Sequence, residues 1–146
     1  SIASNLKSAQ LATQAEASST NGEARDQRLH AMDYLEYAYL QSGRVKQAKA
    51  VLDEMNSLAP VPGLTLTGSY ALAAIPARYA MELGNWEQAS GLQVRSEGLP
   101  WAQAITWMAV GVGSARSKNP ASVASTRAPA TSSSRSTFSS STSASS

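Results

Sequence analysis

The run HAMDYLEYAYLQSGRVKQAKAVLDEM, from His30 to Met55, constrains this chain more than any other stretch. Met32, Leu35, Tyr39 and Leu40 fall on one stripe of a helix, and Val45, Ala48, Val51, Leu52 and Met55 fall on one stripe of a second. Between them lies Ser42-Gly43-Arg44, with Gly43 as the residue that takes the left-handed conformation and closes the first helix. So short a linker folds the two helices back on each other as an antiparallel hairpin. A lone hairpin leaves its apolar stripes open to water. The pattern must therefore return elsewhere in the chain if it is to be buried.

It returns in SYALAAIPARYAMELGNWEQASGLQV, from Ser69 to Val94. Superposing Gly43 on Gly84 pairs Ala38-Tyr39-Leu40 with Tyr79-Ala80-Met81, Val45 with Trp86, and Ala48 with Ala89. The offset of about forty residues is near the period of helical-hairpin repeats. Valine and isoleucine never cluster in alternating runs, which argues against sheet. The sequence thus predicts an all-α fold of stacked antiparallel helical hairpins.

Taken in order, Ile2 to Ala17 is predicted to be a helix with Ile2, Leu6, Ala9 and Thr13 on one stripe, followed by a turn at 18–22. Glu23 and Asp26 open the next helix, at the end where acids are favoured, and it continues to Gln41. The helix from Val45 stops before Pro60 and Pro62. Leu64 to Thr67 reads as a connector and Ser69 as the cap of the following helix, which Pro76 should bend. A further helix starts at Trp86 and carries Ser90 and Gly91, with Gly91 permitting a close crossing. Pro100 suits the first turn of the last helix, where Ile105, Met108 and Val112, with Trp101 and Ala104, form the expected apolar face. Gly111 is where a neighbour is expected to approach that helix. Beyond Pro120 the chain is mostly serine and threonine and has too little apolar area to offset the entropy of ordering. Residues 1–119 therefore read as one helical repeat domain, and 120–146 as a disordered Ser/Thr-rich tail.

Charge adds little. The net charge is +2, but residues 1–97 carry eight basic and ten acidic side chains, and the late basic residues Arg116, Lys118, Arg127 and Arg135 are scattered. No basic patch on a folded face is implied, so nucleic acid is not an expected partner. The chain has no cysteine, which removes disulfides and thiolate metal sites and leaves the compartment open, cytoplasmic or exported. No apolar run is long enough to span a bilayer, so membrane insertion is not expected. His30 is the only histidine, and one imidazole without cysteine makes a poor metal set. Asp33 and Glu36 share a helix face and read as solvated, as do Asp53 and Glu54. Arg44, Lys46 and Lys49 make a small diluted basic cluster. Trp86, Trp101 and Trp107 are assigned to the core. No catalytic residue, cofactor or metal site is expected.

The residues that carry the repeat also resemble a family. Leu35, Tyr39, Gly43, Ala48, Leu52 and Pro60 stand where tetratricopeptide repeats place a leucine, an aromatic, a turn glycine, a small residue, a large apolar residue and a closing proline. Met32 replaces the usual tryptophan and Glu36 the usual small residue. Gly84, Trp86 and Ala89 match in a second unit, where Pro76 and Gln93 depart, and Trp107, Val110 and Gly111 match in a third. More narrowly, ASNLKSAQ, AMDYLEYAYLQSGR, AIPARYAMELGNW and ARSKNP resemble the C-terminal part of a bacterial tetratricopeptide family that has no assigned activity to carry over. The resemblance implies a right-handed α-solenoid of about two and a half repeats, preceded by one unpaired helix. First helices would then line a concave groove, presenting His30, Tyr34, Tyr37 and Gln41, then Arg78 and Glu82, then Met108, Val112 and Arg116. Tyrosine and arginine dominate protein interfaces, and solenoids bind along the concave side. The expected function is a non-enzymatic interaction or scaffold module whose partner is a protein, a peptide or a second copy of itself. The alternative is a regulatory or structural fragment of a larger enzyme whose catalytic residues lie outside this sequence.

Overall fold

The computed structural model describes residues 2–17, 22–60 and 63–117. Among them are six helices and no strand: α1 (Ile2–Ala17), α2 (Gly22–Gln41), α3 (Val45–Ser57), α4 (Leu66–Glu82), α5 (Trp86–Ser90) and α6 (Pro100–Arg116). The fold is all-α. The expected tail at 120–146, most of the turn at 18–22, and Pro62 lie outside the described residues.

Two turns set the path of the chain, and they are built alike. Gly43 has φ 70° and Gly84 has φ 65°, a region that only glycine adopts without strain. At the first, the Gly43 amide donates to the Leu40 carbonyl at 3.0 Å and the Arg44 amide to the Tyr39 carbonyl at 2.8 Å. At the second, Gly84 donates to Met81 at 3.1 Å and Asn85 to Ala80 at 2.9 Å. These paired bonds satisfy the last carbonyls of α2 and α4 in the Schellman arrangement. Asn85 then starts α5, its Oδ1 accepting from the Gln88 amide at 3.1 Å, as an N-cap does.

The main core lies among α2, α3 and α4. Leu29, Met32, Leu35 and Tyr39 meet Ala48, Val51, Leu52 and Met55, and Leu64, Ala71, Leu72, Ile75 and Tyr79 close the cluster. Each of the larger aliphatic side chains contributes roughly 1.5–3 kcal/mol by leaving water. Helix α2 packs against α1, α3 and α4; α4 packs in turn against α5 and α6; and α5 packs against α6.

Helix α4 begins earlier than expected, at Leu66, and a residue distant in sequence caps it. Asp26 of α2 is buried, and its Oδ1 accepts from the amides of Thr65 at 2.8 Å and Gly68 at 2.9 Å. Its Oδ2 accepts from the hydroxyls of Thr65 at 2.6 Å and of Thr67. A carboxylate here satisfies amides that a helix start leaves unpaired and faces the positive end of the helix dipole. Burial alone raises the Asp26 pKa, but these hydrogen bonds outweigh it and hold the group below its ordinary value. Ser69 is therefore not a cap. It sits inside α4, fully buried, and its hydroxyl accepts from the Leu99 amide at 3.1 Å, tying α4 to the start of α6. The helix also passes through Pro76 without a break, and residues 69–75 are helical.

Three further expectations are corrected. In α1 the covered stripe is Ile2, Asn5, Ala9, Ala12 and Glu16, while Leu6 and Thr13 of the expected stripe are exposed. Helix α5 is only five residues long, because Gly91 ends it rather than allowing a crossing. In α6 the buried side is Ala102, Thr106, Ala109, Val110, Gly113 and Ser114, whereas Trp101, Trp107 and Met108 are exposed. Neither Trp101 nor Trp107 is core, and Trp86 is only half-buried. Small residues face inward because α5 comes too close for anything larger. A Cβ added at Gly113 would lie 2.5 Å from the Ser90 nitrogen and 2.7 Å from both the Ala89 Cβ and the Trp86 carbonyl oxygen, whereas Gly111 has nothing within 4 Å.

Two substitutions test this packing. Asp26→Ala should cost about 3 kcal/mol in urea unfolding at pH 7. The Asp26 contribution should be present above its ordinary value of 3.8 and vanish as the pH falls through the lower folded-state value. Gly113→Ala should destabilise by about 1–3 kcal/mol through overpacking, while Gly111→Ala should be neutral or slightly stabilising in the same thermal melt.

Candidate functional site

The expected groove residues divide into three pairs that touch and three residues that stand apart from them. On α2, the rings of His30 and Tyr34 meet edge to face, centroids 5.0 Å apart and planes at 86°. The Arg78 guanidinium of α4 lies over the Tyr37 ring at 5.5 Å, within the range of a cation–π contact. Gln41 Nε2 donates to Glu82 Oε2 at 2.9 Å, joining the ends of α2 and α4. Tyr34 is 52% exposed and Tyr37 49%, so both rings present a face to solvent. Met108 is exposed on α6, and Val112 there is half-buried. Arg116 turns to α5 instead, its guanidinium 4.5 Å from the centre of the Trp86 ring. The structure thus pairs Tyr37 with Arg78 and Gln41 with Glu82 across α2 and α4, keeps His30 and Tyr34 together on α2, and joins none of Met108, Val112 and Arg116 to them.

The Arg78 guanidinium that meets Tyr37 also holds a pair of acids expected to be solvated. Asp33 and Glu36 are both buried, and Glu36 has 0% of its surface exposed. Arg78 bridges them, donating from Nη2 to Asp33 Oδ1 at 2.8 Å, from Nη1 to Glu36 Oε2 at 2.7 Å, and from Nη1 to the Asp33 carbonyl at 3.3 Å. The planar guanidinium suits this geometry, since its two terminal nitrogens reach two carboxylates at once. A signal for it was present. Leu29, Met32, Asp33, Glu36 and Tyr39 follow one helical stripe, so the acids share the register of the core residues. Charge masked that register.

The electrostatics of the cluster are uneven. Burial is the largest influence on Glu36; Arg78 opposes it, the charges of Asp33 and Glu82 reinforce it, and the carboxyl is pushed up from 4.5 to about 7. Its Oε1 has no hydrogen-bond partner among the described residues. Burial also works against the charge on Arg78, but Asp33 and Glu36 more than restore it, so its pKa is raised and it stays a cation. In chemical terms this is a fixed positive charge on a floor of two carboxyls, one of which is poised to hold a proton near neutrality.

A second charged network closes the other end of α2. Glu16 of α1 accepts from Arg25 and, at 2.8 Å, from Arg28, which also reaches Glu54 of α3 at 2.7 Å. Arg25 donates to the Ala59 carbonyl at 2.6 Å. Burial raises the Glu16 pKa, but hydrogen bonds from Arg28 and Arg25 lower it further, and the group lies below its ordinary value. Among the described residues no group of three or more His, Cys, Asp or Glu side chains could hold a metal ion. No helix there is long and apolar enough to cross a membrane. A scan against protein-family models found no match, and neither did searches of curated proteins and of solved structures.

The raised Glu36 pKa has a definite sign. The folded state holds a proton that the unfolded chain releases near 4.5, so this contribution is complete below pH 4.5 and is lost as pH rises to about 7. Unfolding free energies at pH 5 and pH 8 should therefore differ by a smaller stabilisation at the higher pH, on the order of 3 kcal/mol from this group. Glu36→Gln should remove most of that difference; an unchanged pH dependence in the variant would contradict the assignment.

Proposed function

We propose that this chain is a non-enzymatic protein-interaction module, built as a tetratricopeptide-type stack of antiparallel hairpins with a right-handed superhelical course. The packing order supports this reading. Helices α2, α4 and α6 contact one another in succession, α3 contacts both α2 and α4, and α5 contacts both α4 and α6. The two matching glycine turns, about forty residues apart, support it as well.

The observation that carries the function is the half-exposed pair Tyr34 and Tyr37 on α2, with Tyr37 against the guanidinium of the Arg78–Asp33–Glu36 cluster. Tyrosine offers a large amphipathic contact surface at low conformational cost. Where the supporting charge is already fixed, less ordering is left for the moment of binding. The binding surface runs along the exposed side of α2 onto α4, with Tyr34, Tyr37, Gln41 and Glu82 in contact with a peptide or protein partner, and Arg78 holding Tyr37 in place.

Selection of displayed peptides on the immobilised chain, followed by affinity measurement, tests this directly. Tyr34→Ala and Tyr37→Ala should each weaken the selected peptides by about tenfold or more while leaving the helical circular dichroism unchanged. Peptides that bind both variants as tightly as the parent, or a selection that enriches none, would overturn the reading.

A further inference from the structure

A cleft of about 300 Å³ opens between α1 and α2, lined by Asn5, Ser8, Ala12, Gln27, His30, Ala31 and Tyr34. That size is at the lower end of ligand-binding clefts. Its lining is mostly polar, and Ser8, Gln27 and Tyr34 are exposed to solvent. Five of the seven lining side chains can hydrogen-bond, yet none of those five bonds to another described residue. No carboxylate, lysine or arginine lines it. Its two alanines, Ala12 and Ala31, are both buried and leave room for a backbone to approach closely. His30 and Tyr34 contribute two perpendicular rings, in contact with each other.

We propose that this cleft takes an uncharged, extended stretch of peptide and reads its main chain. The inference rests on the interaction-module reading and adds to it a subsite with a stated ligand chemistry. The carboxamides of Asn5 and Gln27 come one from each helix. Each presents a donor and an acceptor in one plane, the same pair that a peptide bond presents. An extended chain between α1 and α2 offers its N–H and C=O groups alternately to either side, so each amide side chain can hold one peptide group. Main-chain hydrogen bonds supply affinity in this mode, and small side chains satisfy the shape. The alanine floor and the ring edges of His30 and Tyr34 accept residues of alanine or serine size. A charged segment would lose its hydration and meet no counter-charge among the lining residues, which disfavours it.

The probe is the capped pentapeptide acetyl-Ala-Ser-Ala-Ser-Ala-amide, titrated to about 10 mM into the ¹⁵N-labelled full chain. Saturable shifts are expected in the side-chain amide resonances of Asn5 and Gln27. An analogue with ester links in place of two backbone amides should bind at least about fivefold more weakly. The isosteric variants Asn5→Asp and Gln27→Glu should each weaken the pentapeptide comparably while leaving the dispersion of the spectrum intact. Absence of shifts at both side-chain amides, or an equal response to peptide and ester, would overturn the proposal. So would stronger perturbation by glycerol, or by the same peptide with aspartate in place of serine. Because Asn5 and Gln27 lie outside the Tyr37–Arg78 pair, failure here leaves the Tyr37 arm of the peptide selection standing, whereas Tyr34 borders both surfaces and does not discriminate between them.

Discussion

The bridge from Arg78 to Asp33 and Glu36 is the constraint on which the arrangement of this chain depends. Its two carboxylates are buried, it crosses between α2 and α4, and its guanidinium lies against the half-exposed Tyr37 ring. Apolar packing is tolerant of small slides, since one aliphatic contact replaces another at little cost. A guanidinium fixed by two carboxylates and a carbonyl is not tolerant, because any slip strands a charge away from water. The apolar cluster of α2, α3 and α4 supplies most of the stabilisation. The bridge selects one register for it. Glu36 lacks a full set of partners, so this selection costs some stability, and it makes the junction responsive to pH near neutrality.

Helix α2 gathers the other constraints. Asp26, near its start, caps α4 from a distance, and Arg25 and Arg28 beside it bind Glu16 of α1 and reach the α3 side through Glu54 and Ala59. Polar groups on the first half of α2 thus hold three neighbours in place, and its second half supplies the apolar stripe and the tyrosines. A helix whose first two turns are mostly polar in sequence is the one around which the other helices are arranged.

Local features of this fold were legible in the sequence, and non-local ones were not. The turns at Gly43 and Gly84 follow from one residue type in one backbone state. The core stripe Leu35, Tyr39, Ala48 and Leu52 follows from helical spacing. The α4 cap could not be read locally, because the accepting carboxylate of Asp26 sits about forty residues away in another helix, and Ser69 offered a plausible nearby substitute. The face of α6 was inverted for a related reason. Hydropathy weights Trp101, Trp107 and Met108 heavily, but Gly113 and its small neighbours win the buried side because α5 approaches within contact of their backbone. At the candidate site, the exposure of Tyr34 and Tyr37 follows from their position off the apolar stripe. Asp33 and Glu36 lay on that stripe and were hidden by their charge. Asn5 and Gln27 needed the α1–α2 contact before they could be seen together.

The central claim is that Glu36 and Arg78 are energetically coupled across the α2–α4 junction and do not merely lie near each other. A double-mutant cycle with Glu36→Gln and Arg78→Met, read by urea unfolding at pH 8 where Glu36 is mostly ionised, tests it most directly. The account predicts a coupling free energy of about 2 kcal/mol or more, at the upper part of the range for residues in one buried network. Additivity within about 0.5 kcal/mol would contradict it.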